Sequence, residues 1–168
     1  MLHGTKSFLP AMSDEIVLQD VPLPYKCHKE QRWGMTVVDV AAGLVFCEGK
    51  YLIARRNPGV HLAGFWEFPG GKCEPGETLE ACLRRELFEE LGICIDVPIP
   101  FQVIRHEYAE KTVQLHFFHC RIETGQATAI DCAEIRWVWP HELDHFEFPP
   151  ADRPIIEALR QQSVEPRL

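Results

Sequence analysis

The sequence predicts an α+β fold in which a mixed β-sheet packs against helices. Three observations lead to this class: β-branched, apolar runs of strand length, turn residues between them, and an acid-rich helical segment followed later by a short amphipathic one. Strands joined mainly by hairpins, with two or three helices between them, are typical of layered α+β domains.

Length and composition fit a single globular domain with room for an appendage. The chain has 168 residues, of which 46% are hydrophobic and 25% charged, so it can bury a sizeable core. No apolar run approaches the roughly 18 residues of a membrane span, and residues 1–15 lack the apolar segment of a secretory signal. We therefore expect a cytoplasmic protein with no membrane partner, as a monomer or a homodimer.

Charge and cysteine content argue against two kinds of partner. A net charge of −8 argues against a nucleic-acid polymer, because such binding depends on Lys and Arg side chains that neutralise phosphates. The seven cysteines are an odd number without a C-x-x-C pair, so no zinc-site spacing is present. We expect them to be reduced and mostly buried. A small phosphorylated ligand remains compatible with the acidic chain if cations accompany it.

The first part of the chain predicts an arm and then a hairpin. Residues 1–32 contain three prolines and no sustained hydrophobic period, which indicates an extended or poorly ordered extension before a domain at 33–162 and a tail at 163–168. MTVVDVAAGLVF predicts a strand, Glu48 and Gly49 a turn, and KYLIARR the returning strand. A Gly/Pro loop and the short strand FWEFP follow.

The rest of the chain predicts a helix, three strands and a last helix. The first helix covers about residues 78–91 and is closed by Gly92. PFQVIRHEY and TVQLHFFHC, joined by AEK, form a second hairpin, and EIRWVW stops at Pro140. The last helix starts after Pro149 and Pro150. We interpret the histidines of these strands as structural or surface residues and the tryptophans as core residues: His106, His116 and His119, and Trp137 and Trp139.

The first helix places acids where they repel one another. At 100° per residue its leucines form one stripe, with Glu86 and Glu90 on the flank and Glu89 further round. Like charges one turn apart cost about 0.2–0.5 kcal/mol a pair, and their repulsion is less screened at the rim of a core. Hard divalent cations take oxygen ligands in such an arrangement and turn the repulsion into attraction. For the acids alone, a solvated helix face would be the usual explanation.

The spacing around these acids makes a longer motif. Gly71 is followed by Glu77, Arg85-Glu86, Glu89-Glu90 and Gly92-Ile93, which gives G-x5-E-x7-R-E-U-x-E-E-x-G-U with U an apolar residue. Seven specified positions at about 7% usage each match by chance on the order of 10⁻⁸ per starting point. The segment resembles the signature box of the Nudix hydrolases at every specified position.

This resemblance implies an α/β/α sandwich with a mixed sheet, the box on a loop-helix-loop element, and hydrolysis that depends on Mg²⁺, with Mn²⁺ as the alternative. FWEFPGGK before the box and FPPADRPIIEAL near the end are similar to the MutT branch over residues 35–160. That branch hydrolyses nucleoside triphosphates, including oxidised ones, to monophosphate and pyrophosphate. The implied activity is an 8-oxo-dGTP diphosphatase that cleanses the nucleotide pool.

The resemblance also assigns roles to residues of the box. Glu86 either binds metal or activates water, and with Arg85 and Glu89 it forms the implied catalytic set. Arg85, four residues before Glu89, can fix a carboxylate, and Glu77 can accept from free N–H groups at the mouth of the helix. Metal would be held by helix acids, a main-chain carbonyl and an acid before the last strand: Glu86, Glu89, Glu90, Gly70 and Asp131, with Glu134 as the alternative to Asp131.

The base would be read at Asp152, where the 8-oxo-dGTP enzyme of bacteria carries Asn. An amide donates and accepts, whereas an ionised carboxylate only accepts. Asp152 therefore favours a base edge that offers donors, or is protonated to mimic the amide, or only caps the last helix. Related enzymes with PAD at this point act on CTP and modified pyrimidine nucleotides, so these are the alternative substrates.

Three further residues are substrate-binding candidates, each with a structural alternative. Phe68 either stacks on the base or packs in the core. Arg56 and Lys72 each either contact the substrate or are solvated surface charges. Arg56 could also pair with Glu67 to shape the pocket.

Two other functions share the fold. A non-catalytic nucleotide-binding module typically loses box acids, and this chain keeps all of them. Isoprenoid diphosphate isomerase is disfavoured by the MutT-like segments on both sides of the box.

Overall fold

The computed structural model describes residues 15–17, 31–32, 35–109 and 111–161. Within them the helices are α1 (Leu79–Leu91) and α2 (Arg153–Gln161), and 3-10 turns cover Pro140–His145 and Pro150–Asp152. The strands, in chain order, are β1 (Glu15–Val17), β2 (Gln31–Arg32), β3 (Met35–Cys47), β4 (Lys50–Arg55), β5 (Trp66–Glu67), β6 (Gly70–Lys72), β7 (Cys94–Ile95), β8 (Ile99–Glu107), β9 (Lys111–Cys120), β10 (Ile122–Thr124) and β11 (Glu134–Val138).

Strand β3 is the centre of a mixed sheet. It pairs in parallel with β9 from Thr36 to Val45, and antiparallel with β4, β6 and β2. The sheet has the order β1-β8-β9-β3-β4-β11, and the other neighbours along it are antiparallel. Strands β7 and β10 form a separate two-stranded sheet. The predicted mixed sheet with hairpin-linked strands is confirmed.

Side chains of β3 alternate between two hydrophobic cores. Ala42 and Leu44 pack in the core that contains the apolar residues of α2, whereas Ala41 and Val45 pack in the core of α1. Because both faces are covered, the strand reads as a continuous apolar run in sequence. The sheet is therefore the middle layer between α1 and α2, as the α/β/α prediction requires.

The β3–β4 turn is the predicted one, and it explains an error about Trp139. Glu48 and Gly49 have φ of 48° and 83°, the positive values that a two-residue hairpin turn needs. Trp139 was expected in the core but is 42% exposed. Its ring covers Gly49, where a Cβ would come within 2.3 Å, and Lys50 Nζ lies 5.3 Å from the ring centroid. Strand β11 ends at Val138, so strand alternation no longer points the next side chain inward.

The cysteines were expected to be reduced and mostly buried, and only the first part of this expectation is met. The described cysteines are free, as expected, but only Cys82 and Cys120 are buried, while Cys47 and Cys94 are exposed. The exposed pair lies at the end of β3 and in the small two-stranded sheet, where little packs over them.

The chain ends lie largely outside the described residues. The interpretation of residues 1–32 as an extension can be followed only in β1 and β2, which pair with β8 and β3. The predicted tail at 163–168 is outside the described part altogether. No helix within the described residues is long and apolar enough to cross a membrane.

Candidate active site

Helix α1 has the caps and the buried stripe that the sequence predicts. Thr78 Oγ1 accepts from the Ala81 N–H at 3.1 Å, and Gly92 ends the helix with φ of 70°. This register puts Glu86 at the edge of the core with a side chain 16% exposed, whereas that of Glu89 is 57% exposed. The stripe consists of fully buried leucines: Leu79, Leu83, Leu87 and Leu91.

Strand β6 brings main chain directly against two of the acids. The Gly70 N–H donates to Glu90 Oε2 at 3.2 Å. At Gly71 a Cβ would lie 2.3 Å from the carboxyl carbon of Glu86, and at Gly70 a Cβ would lie 2.1 Å from the carbonyl oxygen of Ala41. Glycine is therefore needed at both positions, because any side chain would push the acids or the neighbouring strand away.

Arg85 joins an acid that precedes helix α1 to two acids within the helix. Its Nε and Nη2 donate to the Glu77 carboxylate, each at 3.0 Å, and its Nη1 donates to Glu86 Oε1 at 2.8 Å and to Glu89 Oε2 at 3.2 Å. The expected pair with Glu89 is thus present within a larger network. Hydrogen bonds from Arg85 are the main cause that holds the pKa of Glu77 below its usual value.

Glu77 differs from its expected role in one respect. Besides Arg85, it accepts from the Glu74 N–H at 3.0 Å, in the turn that precedes the helix. The Thr78 cap binds the Ala81 N–H of the first helical turn, whereas Glu77 binds the preceding turn and Arg85.

A cavity of about 490 Å³ opens beside these acids. Neither Arg85 nor Glu89 is part of its wall, and Arg85 is linked to the wall through its bond to Glu86. Apart from Glu77 and Glu134, the other candidates from sequence line it: Gly70, Glu86, Glu90, Asp131, Arg56, Phe68, Lys72 and Asp152.

Glu90 carries the strongest sign of unbalanced negative charge. Burial, and then the charges of Glu67, Glu86 and Asp131, raise its pKa to about 8, although the Gly70 N–H opposes the shift. A divalent cation would relieve this repulsion, and the available donors are carboxylate and main-chain oxygens, the ligands that Mg²⁺ prefers. The residues present therefore fit such a cation.

The acids do not form a closed cage by themselves. Within the described residues, no group of three or more His, Cys, Asp or Glu side chains is arranged to hold a metal ion alone. Arg85 occupies one oxygen of Glu86 and one of Glu89. Mg²⁺ usually completes its six positions with water and substrate phosphates, so an open set of protein ligands is compatible with it.

The loop before β11 brings Asp131 to the cavity and leaves Glu134 outside. Asp131 lines the wall, and its Oδ1 accepts from Asn57 Nδ2 at 3.1 Å. Glu134 begins β11 and pairs with Arg136 at 2.6 Å and with Arg55 at 3.8 Å. Of these two alternatives, the geometry favours Asp131.

Phe68 belongs both to the core and to the cavity wall. Only 4% of it is exposed, and its ring stacks on Phe148 with centroids 5.5 Å apart and meets the edge of Phe117 at 6.1 Å. Next to it in sequence, Glu67 forms the expected ion pair with Arg56 Nη1. This pair fixes both side chains at the wall, so Arg56 is not a freely solvated charge.

Asp152 lies in the 3-10 turn before α2 and is 7% exposed. Burial, and then the charge of Glu67, raise its pKa to about 7 against the opposing effect of Arg56. Among the residues that the structure describes, none donates a hydrogen bond to this carboxylate. A helix cap would accept from a backbone N–H of α2, so the geometry does not support the cap-only alternative.

Sequence reasoning missed several residues of the wall. Asn57 and Cys132 flank residues that were identified, while Tyr108 and Lys111 lie on either side of the β8–β9 turn, joined by a bond from Tyr108 N–H to Lys111 O at 2.8 Å. The turn itself was predicted. That its ends face the cavity depends on strand order, which local sequence does not encode.

Sequence comparisons identify a family and several relatives of this chain. A family model described as the NUDIX domain matches residues 41–158. The chain is 36% identical to the CTP pyrophosphohydrolase of Escherichia coli K12, over 74% of this chain and 93% of that protein. It is 34% identical to the 8-oxo-dGTP diphosphatase of Haemophilus influenzae, over 76% and 94%.

Solved structures agree with the sequence comparisons. The solution structure of the E. coli ORF135 protein has a TM-score of 0.68 at 32% identity and covers 81% of this chain and 100% of that one. The crystal structure of the MutT protein from Methanosarcina mazei Go1 has a TM-score of 0.67 at 27% identity, with coverage of 77% and 96%. Motif, fold and relatives together show that the chain belongs to the Nudix hydrolase family, as an enzyme of its MutT-like branch.

Proposed function

We propose that the protein hydrolyses a nucleoside triphosphate to the monophosphate and pyrophosphate, with Mg²⁺ as cofactor and Mn²⁺ as the alternative. One observation carries this proposal: a single cavity of about 490 Å³ is lined both by the box acids Glu86 and Glu90 and by the buried Asp152. Small-molecule sites are typically about 300–1,000 Å³ in volume. One bound nucleotide can therefore meet the acids with its phosphates and Asp152 with its base.

The box residues act on the phosphates in this proposal. Bound Mg²⁺ supplies neutralisation of the phosphate charge and activation of a water molecule. Arg85 keeps Glu86 and Glu89 oriented through bonds of 2.8 Å and 3.2 Å, and Glu86 either contributes to cation binding or accepts the proton of the attacking water. Lys72 adds a positive charge at the wall. The cation-holding groups are Glu86, Glu89, Glu90, Asp131 and the carbonyl of Gly70.

A neutral Asp152 suits an oxidised guanine, and 8-oxo-dGTP is the substrate we propose first. A protonated carboxyl presents one donor and one acceptor. Unmodified guanine offers two adjacent acceptors, O6 and N7, whereas oxidation at C8 converts N7 into an N–H donor beside O6. Burial raises the pKa of Asp152 to about 7, so the neutral form is well populated near neutral pH. Phe68 and the Arg56–Glu67 pair shape the rest of this pocket.

CTP and modified cytosine nucleotides are the second candidate. The ionised form of Asp152 only accepts, and it would pair with the amino group of cytosine. The similarity to a CTP pyrophosphohydrolase at 36% identity supports this alternative.

A substrate panel tests the proposal. Wild-type protein with Mg²⁺ is incubated with canonical, oxidised and methylated NTPs and dNTPs, and pyrophosphate release is followed with inorganic pyrophosphatase and malachite green. We expect the highest kcat/KM for 8-oxo-dGTP, with a cytosine nucleotide next. If the wild-type protein hydrolysed none of these nucleotides, the hydrolase proposal would be overturned and a binding module favoured.

Two variants of the same helix separate chemistry from folding. Glu89→Gln removes a largely exposed carboxylate, so the thermal midpoint should stay near that of wild type while kcat falls by about 10²-fold or more. Glu80→Gln is the matched control, because Glu80 is an acid of α1 whose ion pair is with Arg84, outside the network that joins Arg85 to Glu86 and Glu89. Equal losses in both variants would contradict the assignment of the box acids.

A further inference from the structure

Three consecutive polar residues begin at the last residue of β4, and each binds a different segment of the chain. Arg55 Nη1 pairs with Glu134, and its Nε donates to Gly64 O at 3.2 Å. Arg56 pairs with Glu67 and donates to a carbonyl of the following loop. The third residue, Asn57, reaches across the cavity wall to Asp131, which is 74 positions away in sequence. The two charged side chains thus bind other acids, and the neutral one binds Asp131.

The backbone of Asp131 is fixed on two sides. Its N–H donates to the carbonyl of Glu90 at 3.2 Å, and the N–H of Ala133 donates to the carbonyl of Arg55 at 2.9 Å. The side chain is different, because Asp131 is exposed and packing does not select its rotamer. The bond of 3.1 Å from Asn57 Nδ2 to Oδ1 is the contact that orients the carboxylate.

We propose that Asn57 is a positioning residue that holds the Asp131 carboxylate in the orientation that binds a divalent cation. This inference rests on the proposed function only in taking Asp131 as a ligand of that cation. In this proposal Asn57 acts through Asp131 rather than through a contact of its own with the cation.

The chemistry of the side chain fits this task better than a charged donor would. A Lys or Arg in its place would form an ion pair with Asp131 and compete with the cation for the negative charge. The amide of Asn57 engages one lone pair of Oδ1, which leaves Oδ2 and the full charge of Asp131 available. A neutral donor therefore restricts the rotamers of Asp131 before the cation binds, so binding costs less conformational entropy. It does so without neutralising the charge of the ligand.

Cation affinity measured in a double-mutant cycle tests the proposal. Full-length wild type, Asn57→Ala, Asp131→Ala and the double variant are titrated with Mn²⁺ by calorimetry, without nucleotide. Loss of an outer partner of a metal ligand typically weakens binding 10–100-fold, and for an exposed ligand we expect about 10-fold for Asn57→Ala. The same substitution should have no further effect once Asp131 is alanine, because Asn57 acts through it. Glu123→Gln, an exposed acid that is not part of the cavity wall, should bind Mn²⁺ like wild type.

A kinetic measurement separates positioning from a structural role. The half-saturating Mg²⁺ concentration for hydrolysis should rise about 10-fold in Asn57→Ala, while kcat at saturating Mg²⁺ stays within about threefold of wild type. Equal Mn²⁺ affinity in wild type and Asn57→Ala would overturn the inference. So would an Asn57→Ala substitution that weakens Mn²⁺ binding as much in the Asp131→Ala variant as in wild type. The Mn²⁺ titration uses no substrate, so an inactive wild type would reject the proposed function and leave this test intact.

Discussion

We expect Asp152 to make substrate preference depend on pH, and one substitution should remove that dependence. Its folded-state pKa is about 7, raised by burial first and by Glu67 second, against an ordinary value of 3.8. Below pH 7 the carboxyl is mainly neutral and matches the donor and acceptor edge of 8-oxoguanine. Above pH 7 it is mainly ionised and matches the amino group of cytosine. The ratio of kcat/KM for 8-oxo-dGTP to kcat/KM for CTP should therefore fall as pH rises.

The magnitude follows from the pKa. For a group with a pKa of about 7, the ratio of the protonated to the ionised form is roughly 10 at pH 6 and roughly 0.1 at pH 8. The ratio of the two kcat/KM values should therefore change about 100-fold between pH 6 and pH 8. Titration of cation-binding acids or of attacking water affects both substrates alike and cancels in the ratio. Asp152→Asn has no proton to lose and should give a ratio that does not depend on pH.

The assay is a pair of initial-rate measurements, at saturating Mg²⁺, at half-unit steps from pH 6 to pH 8. Glu67→Gln adds a directional test: removing its charge should lower the pKa of Asp152 and move the change in preference to lower pH. A wild-type ratio constant within about twofold, or an equal pH dependence in Asp152→Asn, would refute the account of how the base is read.

Two further predictions concern a glycine and a buried histidine. Gly71→Ala would put a Cβ 2.3 Å from the Glu86 carboxyl carbon, so the flexible Glu86 side chain should move and kcat should fall by about 10²-fold. The free energy of unfolding in urea should change by about 1 kcal/mol or less. An unchanged kcat would contradict the close contact. His119 is 6% exposed, neither of its ring nitrogens has a hydrogen-bond partner among the described residues, and burial lowers its pKa to about 4. Because the folded pKa lies below the unfolded value of 6.5, the unfolding free energy of wild type falls as pH drops from 6.5 toward 4. His119→Phe lacks this titration. Its unfolding free energy, measured by urea titration relative to wild type, should therefore rise by about 2 kcal/mol between pH 7.5 and pH 5. A difference between the two proteins that does not change with pH would contradict the buried neutral histidine.

The local features of the site were predictable because they arise from residues a few positions apart. The leucine stripe, the Gly92 stop and the turn at Glu48 and Gly49 were all identified from sequence spacing and all occur in the structure. Gly70 was identified from sequence as a residue of the site and Gly71 as the first position of the motif. The structure gives the reason, since the box acids lie against both of them.

Errors of sequence reasoning concern positions where distant parts of the chain meet. Trp139 continues the alternation of β11 in sequence, but the strand ends one residue earlier and the ring covers the β3–β4 turn. Glu77 accepts from a backbone N–H before the helix, as expected, but its contacts with Arg85 were not predicted.

The fold class and the family motif with its acids could be read from the sequence alone, because periodicity, caps and motif spacing are local properties of the chain. Three features depend on tertiary structure instead: Asp152 is buried with a raised pKa, Asn57 meets Asp131 across 74 positions, and Asp131 rather than Glu134 lines the cavity. Burial and electrostatic environment are sums over neighbours from separate strands and loops, and those neighbours are set by the packing of the sheet between its two helices.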